Sequence, residues 1–482
     1  MGKLTGLKPE RVFYYFEELT KIPRCSYNEK AVSDYLKSLG EKLGLETIQD
    51  ESLNIIMKKP ASQGYENSEG IVIQSHMDMV CEKEEGSNHN FKCDPLEIFV
   101  EGDLIKANKT TLGGDDGIGV AMGLALMEDD DLKHPKMELV VTVEEEVKMT
   151  GAFNLSDKIL EGRKLINIDS DEEGILTMGS AGGEAIDINL PLNFKEVENS
   201  INYKIDISGL LGGHSGMEIA NGKGNAIRIL SEVLDEIYKK VEFKLVGVSG
   251  GTKDNAIPRE ANGIISIDDF NENILLENLE NIKNIVKENN KNIEGDLNIN
   301  IEKVNKSTKA MSKKNTEDIL YLLKNIHIGP FTMIPGNEKI VESSANLALV
   351  KTGEEIFSIR ISERSSSPKS MEKLRNTIIE VANKTDAKLT TGDNYPAWEY
   401  KPVSELRETA VKVYKELFNK DLVTTVIHAG LECGILNEKY PDMDIISVGP
   451  NMRFIHTPNE ELSISSTERV YEFVRKLIEE SK

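Results

Sequence analysis

"IVIQSHMDMV", Ile71 to Val80, ends an apolar run on a histidine and follows it two residues later with an aspartate. A plain strand would carry another Val or Ile there, and the chain holds only 7 histidines. In an extended segment residues two apart point to the same side. Asp78 is therefore placed to accept the spare N–H of His76, which fixes the ring tautomer and makes it a more basic ligand.

Working outward, the same pattern recurs. "ELVVTV" (138–143) and "LINI" (165–168) are short apolar runs, and "DDGIGVAMGLALME" between them reads as a buried helix starting near Asp115. "RVFYYFEELTKI" has helical spacing, and "SYNEKAVSDYLKSLGEKLG" opens with Ser26 and Glu29 as a capping-box pair. Strands alternating with helices predict an α/β domain with a mixed, largely parallel sheet flanked by helices.

From about Pro191 the style changes to alternating strands with Gly-rich turns, and it changes back near residue 386 with "ETAVKVYKELF" and "DIISVGP". The expected organisation is a catalytic domain, 1–186 and 387–482, interrupted by an inserted α+β lid domain, 187–386. Within the insert the Asn/Lys/Glu-rich stretch after residue 276 reads as a solvated helix and an edge strand.

Composition narrows the function. The net charge of −24 disfavours nucleic acid and anionic membranes, both of which carry negative charge. No apolar run approaches a membrane span, and the first residues lack a signal-peptide core. Four cysteines, Cys25, Cys81, Cys93 and Cys433, are scattered without a CxxC pair, which argues against a disulfide scaffold and against thiolate zinc. A reducing cytoplasm is expected, with Cys81 and Cys433 as buried thiols, and any metal must be held by His and carboxylates.

Polar residues cluster where strands end: His76 and Asp78, the triplet Glu144, Glu145 and Glu146, Asp169, and His456 after "IISVGPNMRFI". Open α/β sheets place their sites at such carboxyl ends. With 82 acids in 482 residues, about two acidic triplets arise by chance, so the triplet alone says little. Several carboxylates at neighbouring strand ends, however, repel unless cations lie between them. The pair Glu145–Glu146 suits a division of labour, one binding metal and the other serving as general base.

"SHMDMV", "LGGDDGIG", "EEVKMTGAF", "GGHSGMEI", "HAGLECG" and "RFIHTPNE" resemble the two-zinc exopeptidases related to glutamate carboxypeptidase, over essentially the whole chain. The resemblance is closest to those that cleave Xaa-His dipeptides. It implies two Zn2+, with Mn2+ or Co2+ as substitutes, bridged by Asp115. His76 and Asp169 would complete one ion, Glu146 and His456 the other. Glu145 would be the general base, Asp78 the partner of His76, and His214 of the lid a stabiliser of the oxyanion. Asn255 and Arg364 would hold the substrate carboxylate, with Arg360 the alternative to Arg364.

Two positions depart from the family pattern. Asp116 stands where many relatives carry Asn, and Lys148 where a small Gly is usual. His428 and Glu432 are read as supporting the neighbouring loop as readily as lining the site, and His89 and His134 as exposed. The expected activity is metal-dependent hydrolysis of dipeptides in the cytoplasm. A tripeptidase, an amino-acid deacylase and a peptide-binding protein without turnover are the alternatives. A homodimer and a monomer both stay open.

Overall fold

A computed structural model describes residues 2–293, 295–334 and 337–482. The chain forms two compact units, one of residues 1–180, 400–426 and 431–482, the other of 181–399 and 427–430. The exchange points lie at Ser180/Ala181 and Glu399/Tyr400, against the expected 186/187 and 386/387. The difference follows from the strands Gly182–Pro191 and Lys388–Tyr395, which pair with each other in the second unit's sheet.

The first unit is built on an eight-stranded sheet of β1 (Glu46–Gln49), β2 (Ile55–Lys59), β3 (Ile71–His76), β4 (Met137–Thr142), β5 (Lys164–Asn167), β6 (Ile175–Ser180), β7 (Val423–Ile427) and β8 (Asp444–Ser447). Their order across the sheet is β1-β2-β4-β3-β5-β8-β6-β7. The four central strands are parallel, with Ile71 opposite Met137 and Lys164, and Asp444 opposite Lys164. Every residue of β3 and β4 is buried, as strands covered on both faces must be, which is why their sequences do not alternate.

Between β3 and β4 runs α1 (Gly114–Glu128), apolar on all sides and buried almost throughout. The core joins α1 to Phe13, Phe16, Ile73, Leu139, Ile166 and Phe473.

The second unit is an antiparallel nine-stranded sheet among the described residues. Its core packs Ile186, Ile205, Ile265, Leu347 and Ile361 of the sheet against Leu230 and Leu374 of the helices Ala226–Tyr238 and Pro368–Ala382. The Asn/Lys-rich stretch forms the helix Glu272–Asn289 and the strand Gly295–Val304, which lies at one end of the sheet order and is largely exposed.

Candidate metal centre

Four neighbouring parallel strands deliver the cluster: β3 ends in His76, with Asp78 two residues on, β4 leads to Glu145 and Glu146, β5 to Asp169, and β8 to the turn bearing His456. Gly449 lets that last segment pass against the strand end beside Asp169, since a Cβ there would overlap the Ser170 carbonyl oxygen. The start of α1 adds Asp115. Its φ and ψ are not helical, and its side chain leaves the helix axis to join the rim.

Asp115 occupies the middle. Its Oδ1 lies 3.1 Å from His76 Nε2, and its Oδ2 lies 3.2 Å from His456 Nε2. Asp169 Oδ1 stands 3.3 Å from His76 Nε2, and Glu146 Oε2 stands 2.9 Å from His456 Nε2. One carboxylate therefore faces two histidines, and each histidine faces a second acid. Ligand atoms of Asp115, Glu146 and His456 lie within 4.8 Å of one another, as do those of His76, Asp116 and Asp169, and of His76, Glu145 and Glu146.

Asp78 does more than face the His76 ring, whose Nδ1 is 3.3 Å from its Oδ1. It also accepts the backbone N–H of Glu145 at 3.1 Å and of Glu146 at 3.3 Å, and the Ser26 hydroxyl at 2.8 Å. Ser26 and Glu29 are thus not a capping box. The helix begins at Lys30 without a side-chain cap, because Ser26 is taken by Asp78 and Glu29 accepts the Glu144 N–H at 3.2 Å.

The electrostatics are those of an acid cluster out of water. Burial pushes the Glu145 carboxyl well above the usual range, with Asp169 and Glu146 adding to it against the pull of His76. Burial likewise raises Glu146, reinforced by Asp115. It also raises Asp116 well above its ordinary value, reinforced by Asp169. Burial works against charge on His76, but Asp169, Asp115 and Asp78 outweigh it and raise its pKa well above the ordinary value. The donor set is imidazole and carboxylate with no thiolate, and among the described residues Glu146 Oε1 is buried with no hydrogen-bond partner. Such a set fits divalent cations of borderline hardness.

A model of the peptidase family M20/M25/M40 matches residues 72–480. The chain belongs to that family. It is 32% identical to a cytosol non-specific dipeptidase of Escherichia coli, over 100% of this chain and 99% of that one. Among solved structures it is similar to an aminoacylhistidine dipeptidase from Vibrio alginolyticus, at 31% identity and a TM-score of 0.89, covering 99% and 98% of the two chains. The aminopeptidase PepT of Bacillus cereus shares the fold, at 15% identity and a TM-score of 0.57 over 98% and 99%. The α/β architecture expected of an M20 peptidase is the one observed.

In this M20 peptidase the remaining expected site residues lie in the second unit. His214 pairs with Ala256, and its Nδ1 accepts the N–H groups of Gly216 and Met217, at 3.3 and 3.1 Å, so in the neutral ring Nε2 carries the proton. His214 and Asn255 line a cavity of about 870 Å3.

The two candidate arginines differ sharply. Arg360 sits in that cavity wall among Asp187 at 3.2 Å, Asp254 at 3.5 Å and Asp393. Arg364 is 8% exposed and donates to Tyr395 Oη at 2.7 Å. Its Nε has no hydrogen-bond partner, and no carboxylate pairs with it among the described residues.

His428 is buried against Ser344 Oγ at 2.7 Å, and burial, with Arg364 beside it, lowers its pKa to about 3. Glu432 lies beneath the rim in the first unit, accepting from Gln74 at 2.7 Å and from the Thr142 hydroxyl. It braces β3 against β4. Lys148 points outward from the turn Glu144–Met149, so the loop accommodates it.

Several expectations are overturned. Cys25 and Cys81 form a disulfide, so Cys81 is not a free thiol; Cys433 is free and buried. His134 is buried, its Nδ1 2.7 Å from the Pro135 carbonyl oxygen, and His89 is half-buried against Phe91. Arg24 and Glu460, on which the Asp115 turn rests, were given no role in the sequence reading, although Glu460 closes the motif "RFIHTPNE". The disulfide had no adjacent-cysteine signal, and the contacts of Arg24 and Glu460 run to backbone atoms that carry no residue-type signature.

Proposed function

We propose that the chain is a metal-dependent dipeptidase that accepts Xaa-His dipeptides and works with two divalent cations, Zn2+ by preference. The observation that carries this reading is Asp115, whose two oxygens each face a different histidine, the arrangement a bridging ligand needs. His76, Asp115 and Asp169 would hold one cation, and Asp115, Glu146 and His456 the other. When bound, such cations activate water and polarise a peptide carbonyl.

The chain's own groups do the rest. Glu145 takes a proton from the attacking water at its carboxylate and returns it to the leaving amine. Asp78 orients both His76 and the Glu145–Glu146 backbone. From the second unit, His214 donates from Nε2 to the developing oxyanion, and Asn255 and Arg364 receive the substrate carboxylate. Arg364 is preferred to Arg360 because its charge is not already balanced by aspartates. The similarity to dipeptidases over whole chains supports dipeptides as substrates, and the cytosolic relative supports a cytoplasmic location. Among the described residues no helix is long and apolar enough to cross a membrane.

The test is a panel of Xaa-His dipeptides, other dipeptides, tripeptides and N-acyl amino acids, assayed on chelator-stripped enzyme before and after Zn2+ is restored. Zn2+-dependent turnover confined to dipeptides is expected. Hydrolysis that survives complete metal removal overturns the metal assignment, and a preference for tripeptides or acyl amino acids overturns the substrate.

A further inference from the structure

The turn Leu112–Asp115 carries the carboxylate that both histidines face, and its N–H groups converge on one side chain. Glu460 Oε2 accepts from Leu112 at 2.7 Å and Gly113 at 3.0 Å. Its Oε1 accepts from Gly114 at 2.7 Å and from Asp115 at 3.3 Å. Glu460 is 3% exposed, so water cannot replace it in that role.

The opposite side of the turn is held by Arg24. Its Nη2 takes the Gly113 carbonyl, and its Nη1 takes the carbonyls of Met77 and Asp78 at 3.0 Å each. Gly113 is a glycine for two reasons: its φ is +66°, and a Cβ there would run into Arg24 Nη2 and Met79 Sδ.

Glu460 and His456 lie on one hydrogen-bonded turn. The Glu460 N–H donates to the Thr457 carbonyl at 3.1 Å, the Thr457 N–H to the Phe454 carbonyl at 3.2 Å, and the Asn459 N–H to Thr457 Oγ1 at 3.2 Å. That turn reaches the Asp115 segment twice, through the His456 ring and through the Glu460 carboxylate.

We propose that Glu460 is a positioning residue of the metal centre: by gripping the N–H groups of Leu112–Asp115 it sets the separation of Asp115 and His456, while Arg24 ties the same turn to the Asp78 corner. The inference rests on the two-cation reading above. It concerns the cation assigned to Asp115, Glu146 and His456, and the cation at His76 and Asp169 depends on it less. An amide at position 460 offers one acceptor oxygen and turns an NH2 toward N–H donors, so Glu460→Gln breaks half the grip without changing size.

Metal-stripped protein is titrated with Zn2+ against a chelating indicator, and melting temperature is recorded on the same samples. Wild type is expected to bind two equivalents. In Glu460→Gln one equivalent keeps its affinity and the other weakens roughly 10–100-fold, the usual cost of losing a residue that orients a ligand. Glu460→Asp, which withdraws the carboxylate by one methylene, carries the same expectation and replaces the amide variant if that one does not fold. Two equivalents at wild-type affinity, or equal weakening of both alongside a lower melting temperature, overturns the inference and leaves Glu460 a stabilising residue only. Fewer than two equivalents in wild type overturns the two-cation reading, and this inference with it.

Discussion

The carboxylate of Asp78 accepts the backbone N–H of Glu145 at 3.1 Å while standing 3.3 Å from the His76 ring. One side chain thus sets a proposed ligand and the proposed base together. Asp78→Ala is expected to weaken metal binding roughly 10–100-fold and to lower turnover even when metal is saturating. Metal titration and kcat measured at several Zn2+ concentrations separate the two losses. Full recovery of kcat at high Zn2+ means that Asp78 does not position Glu145.

Glu145→Gln keeps the shape of the side chain and removes its ability to take a proton. A fall in kcat of roughly 10²–10⁴-fold is expected, with metal content unchanged. Near-normal kcat in the metal-loaded variant removes Glu145 from the proton transfer.

Arg364 and Arg360 are separable by kinetics. Arg364→Ala is expected to raise KM roughly 10–100-fold for substrates with a free carboxylate, the value of a lost charge-assisted contact. Arg360→Ala should leave KM within a few-fold, since three aspartates already surround that guanidinium. The reverse pattern assigns the carboxylate to Arg360.

Glu363 of the second unit gives a pH dependence of stability. Burial, with the Glu184 carboxylate adding, pushes its pKa from 4.5 to about 8 in the folded chain. The folded state therefore holds a proton that the unfolded chain releases, so this contribution is intact below about pH 4.5 and is lost as pH rises through about 8. Glu363→Gln should match wild type in melting temperature near pH 4 and exceed it near pH 9. Parallel melting curves across that range in the two proteins contradict it.

The Cys25–Cys81 bond closes a segment with a sequence separation of 56. Chain-entropy arguments give such a cross-link about 4 kcal/mol as an upper value. Cys25→Ser, or reduction of the wild type, is expected to lower the melting temperature by several degrees. An unchanged melt shows that the Ser26–Asp78 and Arg24 contacts suffice to hold that loop.

Much of the site was legible because strand ends announce themselves: a polar residue breaking an apolar run at His76, Glu145 or Asp169 has few purely structural excuses. The parallel centre of the sheet was legible for the same reason, since buried strands such as "ELVVTV" do not alternate. Ser26 and Glu29 misled because the capping-box spacing is a local signal, and a distant carboxylate and a distant N–H outcompeted it. Glu460 stood in "RFIHTPNE" without a legible role, because any four consecutive residues offer the N–H groups it binds. The cysteine pair was hidden by sequence distance.

The order of strands has a consequence for synthesis on the ribosome. β8 lies between β5 and β6, so β6, made early, joins the parallel strands through β8, where Ser447 lies opposite Thr177. All of residues 181–443 must emerge first, which takes roughly 10 to 50 s at ordinary elongation rates. Throughout that interval the nascent first unit has an open slot in the middle of its sheet and an apolar edge in need of protection, and it lacks the histidine that completes its acid cluster. The parallel centre of the sheet and the acid cluster are therefore both completed by the last tenth of the chain, the segment that carries β8 and His456.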